Sequence, residues 1–470
     1  MTDTPQNNQS DSQSDNQPPA QTPPEFDPGA LHQNTPKLRK VRGVPIPVKN
    51  PDGQQVNMLG IADAQQISTK IVVTHPAFQT VLPMMDGTRD IDQIVSEAGK
   101  GLQRPMLEQL VAQLDDAGLL FGPTYESLAQ KMRDAFDGSD ILPPGSTAQL
   151  ADMLVAKALG EDPTDEQKAQ MGGSELQKQF DLWIDESLKN AECTSFDTLP
   201  AAVIAPHIDY IRGWMNYGHI YGRMRVVDRP DRVIILGTNH FGQATGVCGC
   251  DKGYESPIGI CELDVELLDA LKAELGDEMS AQMLENRYDH ENEHSIELHI
   301  PWIQHVFGTD DAGAYPKVFG ALIHDPTVNN GDGYDENGLG IDPFVNALKS
   351  AIAKMPGTTL VVSSADLSHV GPAFGDQQAL AGDSEEANAF RMQVATHDRE
   401  MLKLIEENRI DDLIGSLAWQ QNPTRWCSIG NIAAMLRTIE PRSVEVLNYA
   451  AAMDPQGSAF VSSASVAVYR

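Results

Sequence analysis

The sequence predicts an α/β protein: a central, mostly parallel sheet with helices on both faces, preceded by a small α+β unit and a disordered tail. Three observations predict it. First, short β-branched runs recur after residue 199: Ala202-Val203-Ile204-Ala205, Val233-Ile234-Ile235-Leu236-Gly237 and Thr359-Leu360-Val361-Val362-Ser363-Ser364. Second, these runs are continuous rather than alternating, which marks strands buried on both faces. Third, amphipathic helical segments separate them, the pattern of a sheet joined by crossover helices. A chain of 470 residues suggests two or three domains, at roughly 100–200 residues each.

Along the chain, residues 1–35 are mostly Gln, Asn, Ser, Asp, Thr and Pro, too polar to offset the entropy of ordering, and predict a disordered tail. Lys37, Arg39, Lys40 and Arg42 read as a solvated basic linker. Residues 36–123 read as a small separate unit. Within it Ile71-Val72-Val73 is a strand and Asp86-Gly87 a turn. Thr88 and Asp90 can cap a helix that carries Ile91, Ile94, Val95 and Ala98 on one face. Pro105 opens a second helix with Leu107, Leu110, Val111 and Leu114, and Gly118 stops it. Residues 124–195 form a helical connector, interrupted by Pro143-Pro144. Phe180, Trp183, Ile184 and Leu188 recur there at the spacing of a core-facing helix. The main α/β domain occupies 196–470, with residue 140 as an earlier candidate for its start.

Lys plus Arg number 34 and Asp plus Glu 67, a net charge of −33. Such a balance argues against a nucleic-acid surface or docking on an anionic membrane. No run of about 18 apolar residues is present, so no transmembrane helix is expected. The N-terminus lacks the features of a secretory signal. Five Cys without a disulfide framework point to a reducing, cytoplasmic setting.

Chemistry concentrates after the buried runs. The first leads into Pro206-His207, the second into Asn239-His240, the third into Asp366 and His369. Ligands of α/β sheets bind at the carboxyl ends of strands, so three strands deliver His or Asp to one edge. A further segment, Asp289 to His299, is dense in His and Glu. If helical, it places Glu293 and Glu297 on one face, with His294 beside Glu297. Such a cluster suits metal ligation, proton transfer or the orientation of a ligand imidazole. Cys427 precedes a small-residue apolar helix, where it can be a nucleophile, a soft metal ligand or a plain buried thiol. The spacing of Cys248, Cys250 and Cys261 is not that of a structural zinc site.

Five boxes, in order over about 230 residues, resemble the Memo family, whose bacterial branch is AmmeMemoRadiSam system protein B. They are Ala205-Pro206-His207-Ile208-Asp209-Tyr210, Ile235-Leu236-Gly237-Thr238-Asn239-His240, Glu293-His294-Ser295-Ile296-Glu297, Ser363-Ser364-Ala365-Asp366-Leu367-Ser368-His369 and Cys427-Ser428-Ile429-Gly430-Asn431-Ile432. The resemblance implies the fold of class III extradiol dioxygenases and a mononuclear iron or copper ion. Carried over by motif, the metal ligands are His207, His240 and Cys427, and the catalytic residues are His294, Glu297, Asp366 and His369. It implies an oxidoreductase acting on a small-molecule or peptide substrate it does not name. Ile208-Asp209 replaces a small Ala-Gly pair of the family and predicts a narrower, more acidic mouth. Ser428 and Asn431 replace a Gly and a Pro of the family's cysteine box. Met85 to Leu120 also resembles the winged-helix peptide chaperones of pyrroloquinoline-quinone biosynthesis, which implies a peptide or radical-SAM protein as partner of residues 36–123. Two other readings stay open: a non-catalytic metal- or peptide-binding protein, and a hydrolase with Cys427 as nucleophile.

Overall fold

The computed structural model describes residues 23–49, 53–99, 101–335, 337–378 and 380–470. The chain divides between Met132 and Arg133 into two compact units.

In the first unit, Val41–Lys49 pairs antiparallel with Gln55–Asp63, which pairs antiparallel with Ile71–Thr74. Asp90 and Gln93 form a reciprocal capping box at the start of helix Ile91–Ala98. Helix Arg104–Asp116 comes next. Together they bury Ile91, Ile94, Leu107, Leu110, Val111 and Leu114 in one cluster with Ile61 and Val72. Two expectations need correction. Residues 1–22 of the expected tail lie outside the described residues, but 23–35 are anchored: Phe26 packs on the apolar cluster and Gln33 Nε2 donates to Asp115 at 2.7 Å. Arg39 is not a solvated linker residue. It is buried, donates to Asp63 at 2.9 Å and to the Gly118 carbonyl at 2.9 Å, and lies over the Tyr125 ring.

The second unit is built on one mixed sheet. At its centre Ala202–Ala205, Thr359–Ser364, Arg232–Thr238 and Lys317–Ile323 run parallel in that order. Antiparallel strands flank them: Phe460–Tyr469 beside Ala202–Ala205, and Cys248–Gly249 beside Lys317–Ile323. Asp366–Val370 and Ser443–Met453 both pair with Phe460–Tyr469. The central strands are sealed on both faces, as continuous apolar runs require. Ile204, Ile234 and Phe319 join one core with helices Val265–Leu284, Ile341–Lys354 and Ile429–Ile439. Val203, Ile235 and Leu322 join the other with helices Asp165–Leu188, Tyr210–Arg223 and Ile300–Phe307. Phe180 stacks on Trp302 with centroids 3.8 Å apart, so this part of the expected connector belongs to the second core. Among the described residues no helix is long and apolar enough to cross a membrane.

His299 shows what this core demands. It is fully buried, its Nδ1 lies 2.9 Å from Tyr221 OH, and burial pushes its pKa down to about 3. The unfolded chain therefore takes up a proton there near pH 6.5 while the folded chain does not, so stability falls as pH drops from about 6.5 toward 3. The slope from this group is about 1.4 kcal/mol per pH unit. Urea unfolding at pH 7 and pH 5 should show His299→Gln losing less stability on acidification than the wild type. Equal losses would mean that His299 is not held neutral.

Candidate metal centre

The site lies where the parallel strands end. Ala202–Ala205 runs into His207, Arg232–Thr238 into His240, and Thr359–Ser364 into Asp366. Parallel strands share a direction, so these side chains emerge at the same edge. Cys427 arrives from another quarter, two residues before helix Ile429–Ile439. Its Sγ stands 3.4 Å from His207 Nε2 and 3.2 Å from Ser428 Oγ. One donor atom from each of His207, His240 and Cys427 lies within 4.8 Å of the others. His240, Glu293 and His294 form a second such group and share His240 with the first.

The hydrogen bonds of the imidazoles set their tautomers. Ser364 Oγ donates to the Ser295 carbonyl. It can therefore only accept from His207 Nδ1, 3.1 Å away, as can the Ser364 carbonyl at 3.1 Å. The proton sits on Nδ1, and Nε2 turns its lone pair toward Cys427. His240 is held in the same sense: Nδ1 is 3.0 Å from Glu293 Oε1, and its backbone N–H donates to Oε2 at 2.8 Å. Asp289 steadies the loop beyond, accepting from Asn239 Nδ2 and from the backbone of Gln243 and Ala244.

Glu293 is the functional residue that the sequence pattern does not single out. Helical spacing pairs it with Glu297, but the helix spans only His294–Glu297, and Glu293 is its N-cap. The two carboxylates consequently point to different tasks. Burial opposes ionisation of Glu293, yet His240 and His294 outweigh it and hold the carboxyl well below its usual range. Burial works against a charge on His294, but its bond to Glu293 raises its pKa overall. The signal that separates the two glutamates is the helix start, which spacing alone does not reveal.

Among the described residues Glu297 is hydrogen-bonded to no imidazole, and the structure gives it a role in holding a helix start. Its carboxylate caps helix Ser146–Leu159, accepting from the backbone of Gly145, Ser146 and Thr147 at 2.8, 3.1 and 2.9 Å, and from Thr147 Oγ1 at 2.6 Å. Gly145 offers that helix no capping side chain, so a distant carboxylate supplies one. Asp366 is buried against the site. It accepts from the His207 backbone at 3.1 Å, and burial pushes its pKa up to about 6. His369 lies outside both donor groups. Its Nδ1 donates to the Leu367 carbonyl at 3.1 Å, its ring meets Phe374 edge-on, and burial lowers its pKa to about 4. Asp209 caps helix Tyr210–Arg223 and pairs with Arg212 at 2.6 Å, so the acidic charge expected at the mouth is neutralised locally. Cys248, Cys250 and Cys261 are buried in an apolar cluster and join no donor group among the described residues.

Fold and site together define an α/β protein with a histidine–cysteine donor cluster at the carboxyl edge of its central sheet. The chain belongs to the family of Memo-like proteins, whose family model matches residues 170–467. A MEMO1 family protein of Aquifex aeolicus is 24% identical over 373 residues, 78% of this chain and 83% of the relative. One from Methanopyrus kandleri is 26% identical over 267 residues, 55% and 79% of the two chains. One from Saccharolobus islandicus is 31% identical over 172 residues, 36% and 53%.

The capping role of Glu297 is directly testable. Glu297→Ala should lower the unfolding free energy by about 2 kcal/mol, the upper range for a lost helix cap. Urea denaturation measures it, and an unshifted midpoint would show that the carboxylate anchors nothing.

Proposed function

We propose that the chain is a metal-binding redox protein which holds one iron or copper ion on His207, His240 and Cys427 and acts on a small molecule or peptide. The observation that carries this reading is the convergence of those three donors within 4.8 Å. The donor set fits: two imidazoles and a thiolate suit a borderline redox metal better than Mg²⁺ or Ca²⁺. With three protein ligands, such an ion supplies open positions and Lewis acidity of the kind that catalytic sites use.

The chain's own residues do the rest. Ser364 and Glu293 fix the two imidazoles so that each presents Nε2, as carboxylates and carbonyls behind metal-binding histidines commonly do. His294, 3.2 Å from Glu293 Oε1, is the group suited to hold and release a proton at the site. Asp366 fixes the His207 backbone. The Phe241 ring lies near those of His240 and His294. A hydrolase built on Cys427 is less well supported: burial and the neighbouring Asp366 push the thiol up to about 12, so a free thiolate is scarce near neutrality.

One observation favours the non-catalytic, peptide-binding reading as a second function. The first unit holds an apolar cavity of about 340 Å³, lined by Phe78, Val81, Leu102 and Met106 among others. A peptide side chain, or a segment of a radical-SAM partner, is the occupant this reading expects.

Elemental analysis of protein purified without oxygen tests the main reading. Wild type should carry close to one equivalent of iron or copper, and His240→Ala should lose it while keeping its circular dichroism spectrum. Absence of metal from both proteins would sink the proposal.

A further inference from the structure

Asp398 lies inside helix Glu385–Glu406 and is fully buried. One carboxylate oxygen accepts from Ser368 Oγ at 2.5 Å and from Trp426 Nε1 at 2.8 Å. The other accepts from Tyr449 OH at 2.8 Å and from Ser462 Oγ at 2.5 Å. Ser462 Oγ also accepts the backbone N–H of Ser368 at 3.0 Å. Among the described residues no Lys, Arg or His pairs with this carboxylate. A buried charge without a counter-ion is costly, so its hydrogen bonds must hold it in place.

The placement of two of those donors is informative. Trp426 immediately precedes Cys427, and Ser368 stands between Asp366 and His369. Cys427 and the strand Asp366–Val370 come from opposite sides of the helix in sequence, and that strand takes its register from Phe460–Tyr469. One carboxylate oxygen binds a neighbour of each. We propose that Asp398 is a positioning residue which sets, from behind the site, where the Cys427 thiol stands relative to Asp366 and His207. The consequence for metal affinity rests on the metal-binding reading above; the consequence for the thiol does not.

Two substitutions separate positioning from bulk stability. Trp426→Phe and Tyr449→Phe each remove one hydrogen bond to Asp398 and keep an aromatic ring, but only the first is next to Cys427. Ser368→Ala is a second site-side variant, should Trp426→Phe fail to fold. Two readouts apply to the full chain: the rate of iodoacetamide alkylation of Cys427 in the metal-free protein, monitored by peptide mass spectrometry, and Co²⁺ titration read by thiolate-to-cobalt absorption. The site-side variants should change the alkylation rate several-fold and weaken Co²⁺ binding about tenfold, the usual cost of losing support behind a metal ligand. Tyr449→Phe should lower the melting temperature comparably and leave both readouts near wild type. Equal effects from the two sides, or no effect from the site side, would overturn the proposal. If wild type binds no Co²⁺, the metal reading falls, and the alkylation rates alone still decide the role of Asp398.

Discussion

The site depends on one buried carboxylate placed between two imidazoles. Glu293 is almost fully removed from water, where an isolated negative charge could not persist. It persists because His240 and His294 each bring a ring nitrogen to it, at 3.0 and 3.2 Å, while the His240 and Ser295 backbones donate at 2.8 and 2.8 Å. That arrangement fixes more than charge. It orients His240, sets the entry of the His294–Glu297 helix and ties the loop after Arg232–Thr238 to the segment that covers it. Removing the carboxylate would leave two imidazoles without their common partner, so the histidines and Glu293 stand or fall together.

The acidic composition takes on a meaning here that net charge does not convey. Several buried carboxylates act as anchors, and each is satisfied differently. Asp63 pairs with Arg39, and Asp264 with Arg232. Glu293 uses imidazoles, Glu297 the free N–H groups of a helix start, and Asp398 only hydroxyl and indole donors. A carboxylate can accept from several donors at once, so one side chain can join segments remote in sequence. Around the site this has a practical effect: the donors stand on irregular backbone beyond the strand ends, and carboxylates beside His240 and behind the Cys427 loop help to hold it.

Much of this was legible in the sequence. The three continuous β-branched runs are the strands, and the residues just after each stand at the sheet edge, because burial on both faces and a shared strand direction are local in their sequence signature. The helices starting at Ile91 and near Pro105 were legible for the same reason, through a cap and a stripe. Strand Lys317–Ile323, in Lys317-Val318-Phe319-Gly320-Ala321-Leu322-Ile323, was missed, and so was the hairpin Val41–Lys49 with Gln55–Asp63. The hairpin carries Pro45 and Pro47, which usually speak against a strand and are tolerated here on an edge. The partners of Arg39 and Glu297 were not legible, for a common reason. Each is a charged residue whose partner lies far along the chain, and nothing local distinguishes such a residue from a solvated or catalytic one.

The two halves of the donor set differ in how the fold secures them. His207 and His240 come directly off strands of one parallel block, whose spacing is set by backbone hydrogen bonds through Thr359–Ser364. Their separation is a property of the sheet, and each ring then needs only one partner at Nδ1 to aim Nε2 inward. Cys427 has no such guarantee. It sits in a loop where Arg425 adopts a left-handed backbone conformation, and its approach to His207 depends on side chains: Asn422 with the Trp426 backbone, Asn431 with Thr238 and Ser364, and Asp398 with the Trp426 indole. Ser428 and Asn431 therefore serve the loop: Ser428 contacts both the thiol and Thr238, and Asn431 ties the helix start to two strand ends. The histidine pair is positioned by topology and the cysteine by a network, so variation in this site is expected to act first through the cysteine loop.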